Sequence, residues 1–215
     1  MPMTPERWAF LSEYAEEVAG AQDNHLAGLS DAAIQAGMPD IAVTPDVGHL
    51  LKILVGLTPA RTAIELGTLA GYSAIWMARA LAAGGKLYTI EFEDSHADFA
   101  EAQFVMAGVD DRIRVLRGAA LDLLPGLHNE LGDGSVDFAF IDAVKSEYLD
   151  YFFALKPMMA IGRLIVADNV YSNGGRWIDD GAGTDAFNRL VAADPDFESA
   201  LIPMRQGLLI ARRLQ

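Results

Sequence analysis

Between Arg61 and Ala193 the chain alternates, five times over, a short apolar run of strand character with a stretch of helical periodicity. The runs are TAIEL, KLYTIE, RIRVL, VDFAFID and GRLIVAD. The helical stretches follow at Tyr72 to Ala83, Ser95 to Ala107, Ala119 to Leu124, Glu147 to Ala154 and Thr184 to Ala193. Parallel strands need a long crossover between them, and a crossover helix needs an apolar surface to lie on. The repeat therefore predicts an α/β fold: a parallel sheet with helices on both faces. The tail breaks the pattern. FESALIP and GLLIARR are joined through Met204-Arg205-Gln206, close enough for an antiparallel hairpin, so one of the last strands should run against the rest.

Before Arg61 the periodicity is helical throughout. Thr4-Pro5-Glu6 reads as a cap, a proline at the first helical position and an acid in the first turn, followed by Trp8, Leu11, Ala15 and Val18. A second helix is predicted from about Asn24 to Gln35, and a third opens at Thr44-Pro45-Asp46 with the same chemistry. At 215 residues a single domain is expected: helical extensions over 1–56 and the alternating core over 57–215.

Composition narrows the partners. Thirty acidic against sixteen basic residues leave a net charge of −14, which repels a phosphate backbone and argues against DNA binding. Zero cysteines exclude disulfides, thiolate metal sites and cysteine nucleophiles, and the four histidines show no ligand spacing, so a metal here would rest on oxygen. No apolar stretch reaches the roughly 18 to 20 residues of a membrane span, and no secretory signal is visible. A soluble, cytoplasmic protein with no membrane contact is expected.

After the first strand comes ELGTLAGYS, Glu65 to Ser73, in the loop where doubly wound sheets hold nucleotide-like ligands. Gly67 and Gly71 do not form the G-x-G-x-x-G that approaches a pyrophosphate. Glu65, beside the first glycine, suits a cation better than a phosphate. Glu91 closes the second strand 24 residues beyond Gly67, near the spacing of an acid that binds ribose hydroxyls. A cationic, ribose-bearing ligand without phosphate describes S-adenosylmethionine. Farther on, the fourth and fifth strands end in Asp142 and in Asp168-Asn169. Neighbouring strands lie about 4.8 Å apart, so these two carboxylates and one amide could share a divalent ion. Mg²⁺ is favoured, with Mn²⁺ and Ca²⁺ also admitted by hard oxygen ligands, and room remains for a substrate that presents two oxygens. Lys145, at the start of the next segment, is placed to accept a proton.

These residues resemble the cation-dependent class I O-methyltransferases, the group that contains catechol and caffeoyl-CoA O-methyltransferases and many small bacterial proteins. The likeness spans about residues 41 to 213 and rests on VTPDVGHLL, AIELGTLAGYS, YTIE, GAA, FIDAVKSEYLDYF, LIVADNVYSNG and GLLIARR. It implies a Rossmann-like sheet of seven strands with the last antiparallel. It implies that Val43, Glu65, Gly67, Thr68, Tyr72, Ser73, Glu91, Ala120 and Asp142 surround S-adenosylmethionine, and that Asp142, Asp168 and Asn169 hold the cation. Lys145 would be the base, with Asp142 also in the catalytic group, and Asn173 a substrate contact. Trp177 is expected to offer an aromatic face to the acceptor. Val144, Ser172 and Ile41 stand where the family often has Asp, Trp and Met, and none removes a metal ligand. The expected activity is methylation of a catechol-like phenolic acceptor by a homodimer that uses its N-terminal helices as the contact. The alternatives are methylation of a hydroxyuridine in transfer RNA, which the charge disfavours unless Arg112, Arg114 and Arg117 form a basic patch, and a non-catalytic S-adenosylmethionine-binding protein.

Overall fold

The computed structural model describes residues 4–173, 176–180 and 183–215, with the side chains of Pro5, Asn173 and Asp180 outside the description. Three helices come first, α1 (Pro5–Ala19), α2 (Asn24–Gln35) and α3 (Pro45–Leu57). The alternating core runs β1 (Thr62–Leu66), α4 (Tyr72–Ala80), β2 (Lys86–Glu91), α5 (Asp94–Ala107), β3 (Ile113–Arg117), α6 (Ala120–Leu131), β4 (Val136–Ile141), α7 (Tyr148–Leu155) and β5 (Met159–Asp168). A two-residue hairpin, β6 (Ser172–Asn173) with β7 (Arg176–Trp177), precedes α8 (Thr184–Ala193), β8 (Phe197–Ile202) and β9 (Leu208–Arg213).

The main sheet has the order β3-β2-β1-β4-β5-β9-β8. β9 pairs antiparallel with both β5 and β8, and every other pairing in this sheet is parallel. This is the seven-stranded, mostly parallel arrangement that the alternating pattern and the tail predicted. Side chains along a strand point alternately to the two faces, and both faces are apolar. Ala63, Phe138, Phe140 and Val166 pack with α3, α4 and α5, while Ile64, Leu66, Ile141 and Ile165 pack with α6, α7 and α8. The second layer is rich in rings: Tyr148, Tyr151, Phe152 and Phe187 are all within 2 % of full burial, and Phe152 meets Phe187 and Phe197 at centroid distances of 6.3 and 5.2 Å.

Helix boundaries shift by one to seven residues from their expectations: α4 stops at Ala80 and not Ala83, α5 starts at Asp94 and α7 runs Tyr148–Leu155, and the largest change is in α6. The helix predicted over Ala119 to Leu124 continues to Leu131, carrying Pro125 inside it. A proline in a helix interior costs about 3 kcal/mol, but the buried face runs past it from Leu124 to Leu127, and burying such side chains offsets that cost. No described helix is long and apolar enough to cross a membrane.

Chain order reverses at β1: β2 and β3 lie to one side, β4 and β5 to the other. The loops leaving the carboxyl ends of β1 and β4 therefore part, and the crevice between them is where ligands bind in sheets of this kind.

Candidate active site

That crevice opens into a cavity of about 650 Å³. Its floor is the turn after β1. Gly67 has φ +94°, and a Cβ there would lie 2.2 Å from the backbone oxygen of Asp142. Only glycine brings the first loop this close to the end of β4. The contact is held from both sides, by Gly67 N–H donating to Ile90 O at 3.0 Å and Asp142 N–H donating to Leu66 O at 2.9 Å.

Glu91 ties the same loop down from β2. One of its carboxylate oxygens accepts from the N–H groups of Thr68 (3.1 Å) and Leu69 (2.8 Å), and the other accepts from the N–H of Glu93 (3.0 Å). Three of about four acceptor positions on the carboxylate are thus used by the backbone. One remains for a ligand hydroxyl, near His96 Nδ1 at 3.5 Å.

Behind the loop lies a buried polar chain. Ser73 Oγ donates to one oxygen of Glu65 at 2.6 Å, Thr89 Oγ1 donates to the other at 2.6 Å, and Thr68 Oγ1 meets Thr89 Oγ1 at 2.5 Å. Glu65 has no exposed surface. Burial pushes its carboxyl up to about 8, the two hydroxyl donors oppose the shift, and the negative charges of Asp142 and Glu91 add to it.

Across the cavity the ends of β4 and β5 bring their acids together. Lys145 Nζ donates to Asp142 Oδ1 at 2.6 Å and to Tyr148 Oη at 2.7 Å. Tyr148 in turn donates to the backbone oxygen of Asp168 at 2.9 Å, so one buried phenol links the lysine to both strand ends. The Asp168 carboxyl is held above the usual carboxylate range, first by burial and then by the charge of Asp142. Asn169 sits at φ +57°, a left-handed conformation that Asn tolerates better than most residues. Among the described residues no three His, Cys, Asp or Glu side chains converge as a metal cluster; the set present is two aspartates and an amide.

Of the residues singled out in the sequence, Val43, Gly67, Thr68, Tyr72, Ser73, Glu91, Asp142, Lys145 and Asn169 line this cavity. Glu65, Asp168, Ala120 and Trp177 do not. Glu65 stands behind Ser73 and Thr89, Asp168 is 1 % exposed at the end of β5, and Ala120 packs with the apolar layer under α6 and α7. Trp177 lies on a neighbouring hollow with Trp8, Tyr171 and Arg205, while the side chain of Asn173 falls outside the described residues. Arg205 lines both spaces. The arginines considered as a basic patch are engaged locally: Arg114 pairs with Glu130, Arg117 pairs with Asp94, Asp98 and Glu101, and Arg112 donates to Ala78 O.

A family model described as O-methyltransferase matches residues 16–214. The chain belongs to the O-methyltransferase family. A catechol O-methyltransferase of Niastella koreensis is 37% identical over 200 residues, 90% of each chain. Among solved structures, an O-methyltransferase from Bacillus cereus in complex with SAH superposes with a TM-score of 0.86 at 31% identity, covering 97% of this chain and 99% of that one. The O-methyltransferase TomG from Streptomyces achromogenes, involved in tomaymycin synthesis and solved in complex with SAM, has the same TM-score and identity and covers 100% of both chains.

Sequence reasoning missed several residues of this O-methyltransferase site. Thr89 had a usable signal, since it lies two residues before Glu91 on a strand, and side chains two apart share a face. Tyr148 stands three residues after Lys145, a spacing that brings side chains together on a helical turn. Arg205 and Gln206 line the cavity from the turn between β8 and β9, and nothing in their local sequence marks them.

Proposed function

We propose that this S-adenosylmethionine-dependent O-methyltransferase works with a divalent cation on a catechol-like small molecule, methylating one of two vicinal hydroxyls. What supports the reading is that Asp142 and Asp168-Asn169 directly follow the paired residues Ile141 and Ala167 of adjacent strands, that the charge of Asp142 acts on Asp168, and that Lys145 Nζ lies 2.6 Å from Asp142. The donor set fits a hard cation: two carboxylates and one amide oxygen suit Mg²⁺, and such an ion keeps coordination positions for water or substrate. Asp142, Asp168 and Asn169 would hold it. When bound, a cation supplies Lewis acidity that polarises the acceptor oxygens and lowers the pKa of a phenol from its ordinary value of about 10.

The remaining work belongs to the chain. The cavity walls formed by the Gly67 loop, Glu91 and α4 orient the methyl donor, and alignment of the two reactants in a water-poor site supplies most of what a methyl transfer needs. Lys145 in its neutral form accepts the phenolic proton at Nζ, and the hydrogen bonds to Asp142 and Tyr148 fix that atom in place. The name of the Niastella relative supports a catechol-like acceptor. The net charge of −14 and the local pairing of Arg114 and Arg117 favour a small acceptor over transfer RNA.

The test is methyl transfer from labelled S-adenosylmethionine to a panel of catechols, caffeoyl-CoA among them, with Mg²⁺ and with excess chelator. Turnover should vanish with chelator and in Asp142→Ala and Asp168→Ala. Turnover that persists in chelator and in both variants removes the cation from the reaction.

A further inference from the structure

The chain Ser73, Glu65, Thr89, Thr68 has three contacts between four groups, and its hydrogens can be counted. An ionised carboxylate only accepts. With Glu65 ionised, Ser73 and Thr89 must both donate to it, and Thr68 must then donate to Thr89. Every hydroxyl hydrogen is consumed inside the chain. With Glu65 protonated there are four hydrogens for three contacts, so one is left over. If the acid donates to Ser73 Oγ, the Ser73 hydrogen is released; if it donates to Thr89, Thr89 donates to Thr68 and the Thr68 hydrogen is released. Ser73 and Thr68 are the two members of the chain that line the cavity.

We propose that Glu65 is a positioning residue that acts as a neutral carboxylic acid, leaving one hydroxyl of the Ser73–Thr68 chain free to donate to the carboxylate of the methyl donor. This rests on the reading of the cavity as the S-adenosylmethionine site. That ligand carries one anionic group, and the cavity wall carries the acids Asp40, Glu91, Glu93 and Asp142 against two cations, Lys145, which is bound to Asp142, and Arg205 on the β8–β9 turn. A place suited to an anion beside Ser73 is the start of α4, where the first-turn backbone N–H groups have no partner within the helix and the helix dipole is positive. Ser73 is the second residue of that nine-residue helix. A hydroxyl locked as a donor to Glu65 would turn its lone pairs toward the ligand carboxylate and repel it, whereas a released hydroxyl completes the anion site.

Burial and the charged groups facing Glu65 favour the neutral acid, and the hydroxyl donors Ser73 and Thr89 oppose it without overcoming the burial. β2 presents Glu91 and Thr89, the end of β4 presents Asp142, whose nearest cation, Lys145, is already bound to it, and α4 presents Ser73. The carboxyl's position at about 8 places the loss of the proton within an accessible range.

The test is calorimetric binding of S-adenosylhomocysteine to the wild type and to Glu65→Gln across pH. Glutamine donates through its amide nitrogen and accepts through its oxygen, so it reproduces the neutral acid and cannot ionise. If only the neutral form binds, wild-type affinity falls by about 30-fold between about pH 6.5 and about pH 9.5, as the competent fraction falls. The ligand amino group also titrates, so the readout is the difference between the two profiles. The expected result is a Gln variant that binds within about threefold of wild type at the lower pH and lacks the 30-fold component. A Gln variant with the same pH dependence as wild type, or one that folds but binds more than about 30-fold more weakly at the lower pH, overturns the proposal. A second measurement needs no variant. The decarboxylated ligand, which keeps the amine, should bind wild type without the alkaline loss, and an equal loss for both ligands refutes the role given to Glu65. Failure of wild type to bind either ligand at any pH overturns the cavity assignment as well.

Discussion

Replacing Gly67 by alanine tests the close approach of β1 and β4 on which the site is built. The new Cβ would start 2.2 Å from the Asp142 oxygen and 3.0 Å from its carbonyl carbon, so one backbone must retreat by about 1 Å to reach ordinary contact distance. Neither is free to do so, because Gly67 is bonded to Ile90 and Asp142 to Leu66. Losing the Asp142 bond costs about 1 kcal/mol, and holding alanine at φ +94° adds about 1–3 kcal/mol. A total of about 3 kcal/mol lowers the Tm of a chain of this size by about 6–12 °C. Because the retreating residue is Asp142, donor binding or turnover should also fall by about 100-fold, the usual scale for a 1 Å displacement of reacting groups. Thermal unfolding by circular dichroism and calorimetric binding of S-adenosylhomocysteine provide the two readings. Gly56→Ala is the control: it lies within α3, and a Cβ there meets nothing within 4 Å, so it should be neutral or stabilising by up to about 1 kcal/mol. A Gly67→Ala protein with the Tm and affinity of the wild type would refute the steric reasoning.

Two further outcomes follow from the same geometry. Lys145→Ala should lower kcat by about 10²–10⁴-fold, the range for loss of a general base, with little change in donor affinity; wild-type rates across pH would remove Lys145 from the reaction. In the ligand-free protein the raised Glu65 carboxyl, at about 8 against 4.5 for the unperturbed group, binds its proton more tightly folded than unfolded. Its contribution to stability is therefore fully present below about pH 4.5 and is lost as pH rises to about 8. Glu65→Gln should gain on the wild type over that window, by at most about 5 kcal/mol, and urea unfolding that gives the same difference at both ends of the window would contradict the assignment.

Much of this enzyme is decided locally. The near-continuous apolar runs within VDFAFI and TAIEL make strands that are buried on both faces, and that character belongs to a parallel sheet whichever helices cover it. Strand ends are also local features, so the sequence alone marks Glu91, Asp142, Asp168 and Asn169 as groups delivered to one rim of the sheet. The glycine at position 67 is legible in the same way, as a residue chosen for backbone geometry.

Other features exist only once the chain is folded. Glu65 and Glu91 look alike in sequence, each an acid at or near the end of a strand, yet one is sealed behind Ser73 and Thr89 while the other lines the cavity. The difference is set by which helix packs over which strand end. Arg205 and Gln206 reach the site because β9 inserts between β5 and β8, which folds the β8–β9 turn back over the crevice. Pro125 sits inside a helix because the buried face of α6 extends past it. In each case local propensity sets the element and its rim of functional groups, and long-range packing decides which of those groups face the ligand. Burial and proximity sum over residues far apart in sequence, and no local pattern encodes that sum.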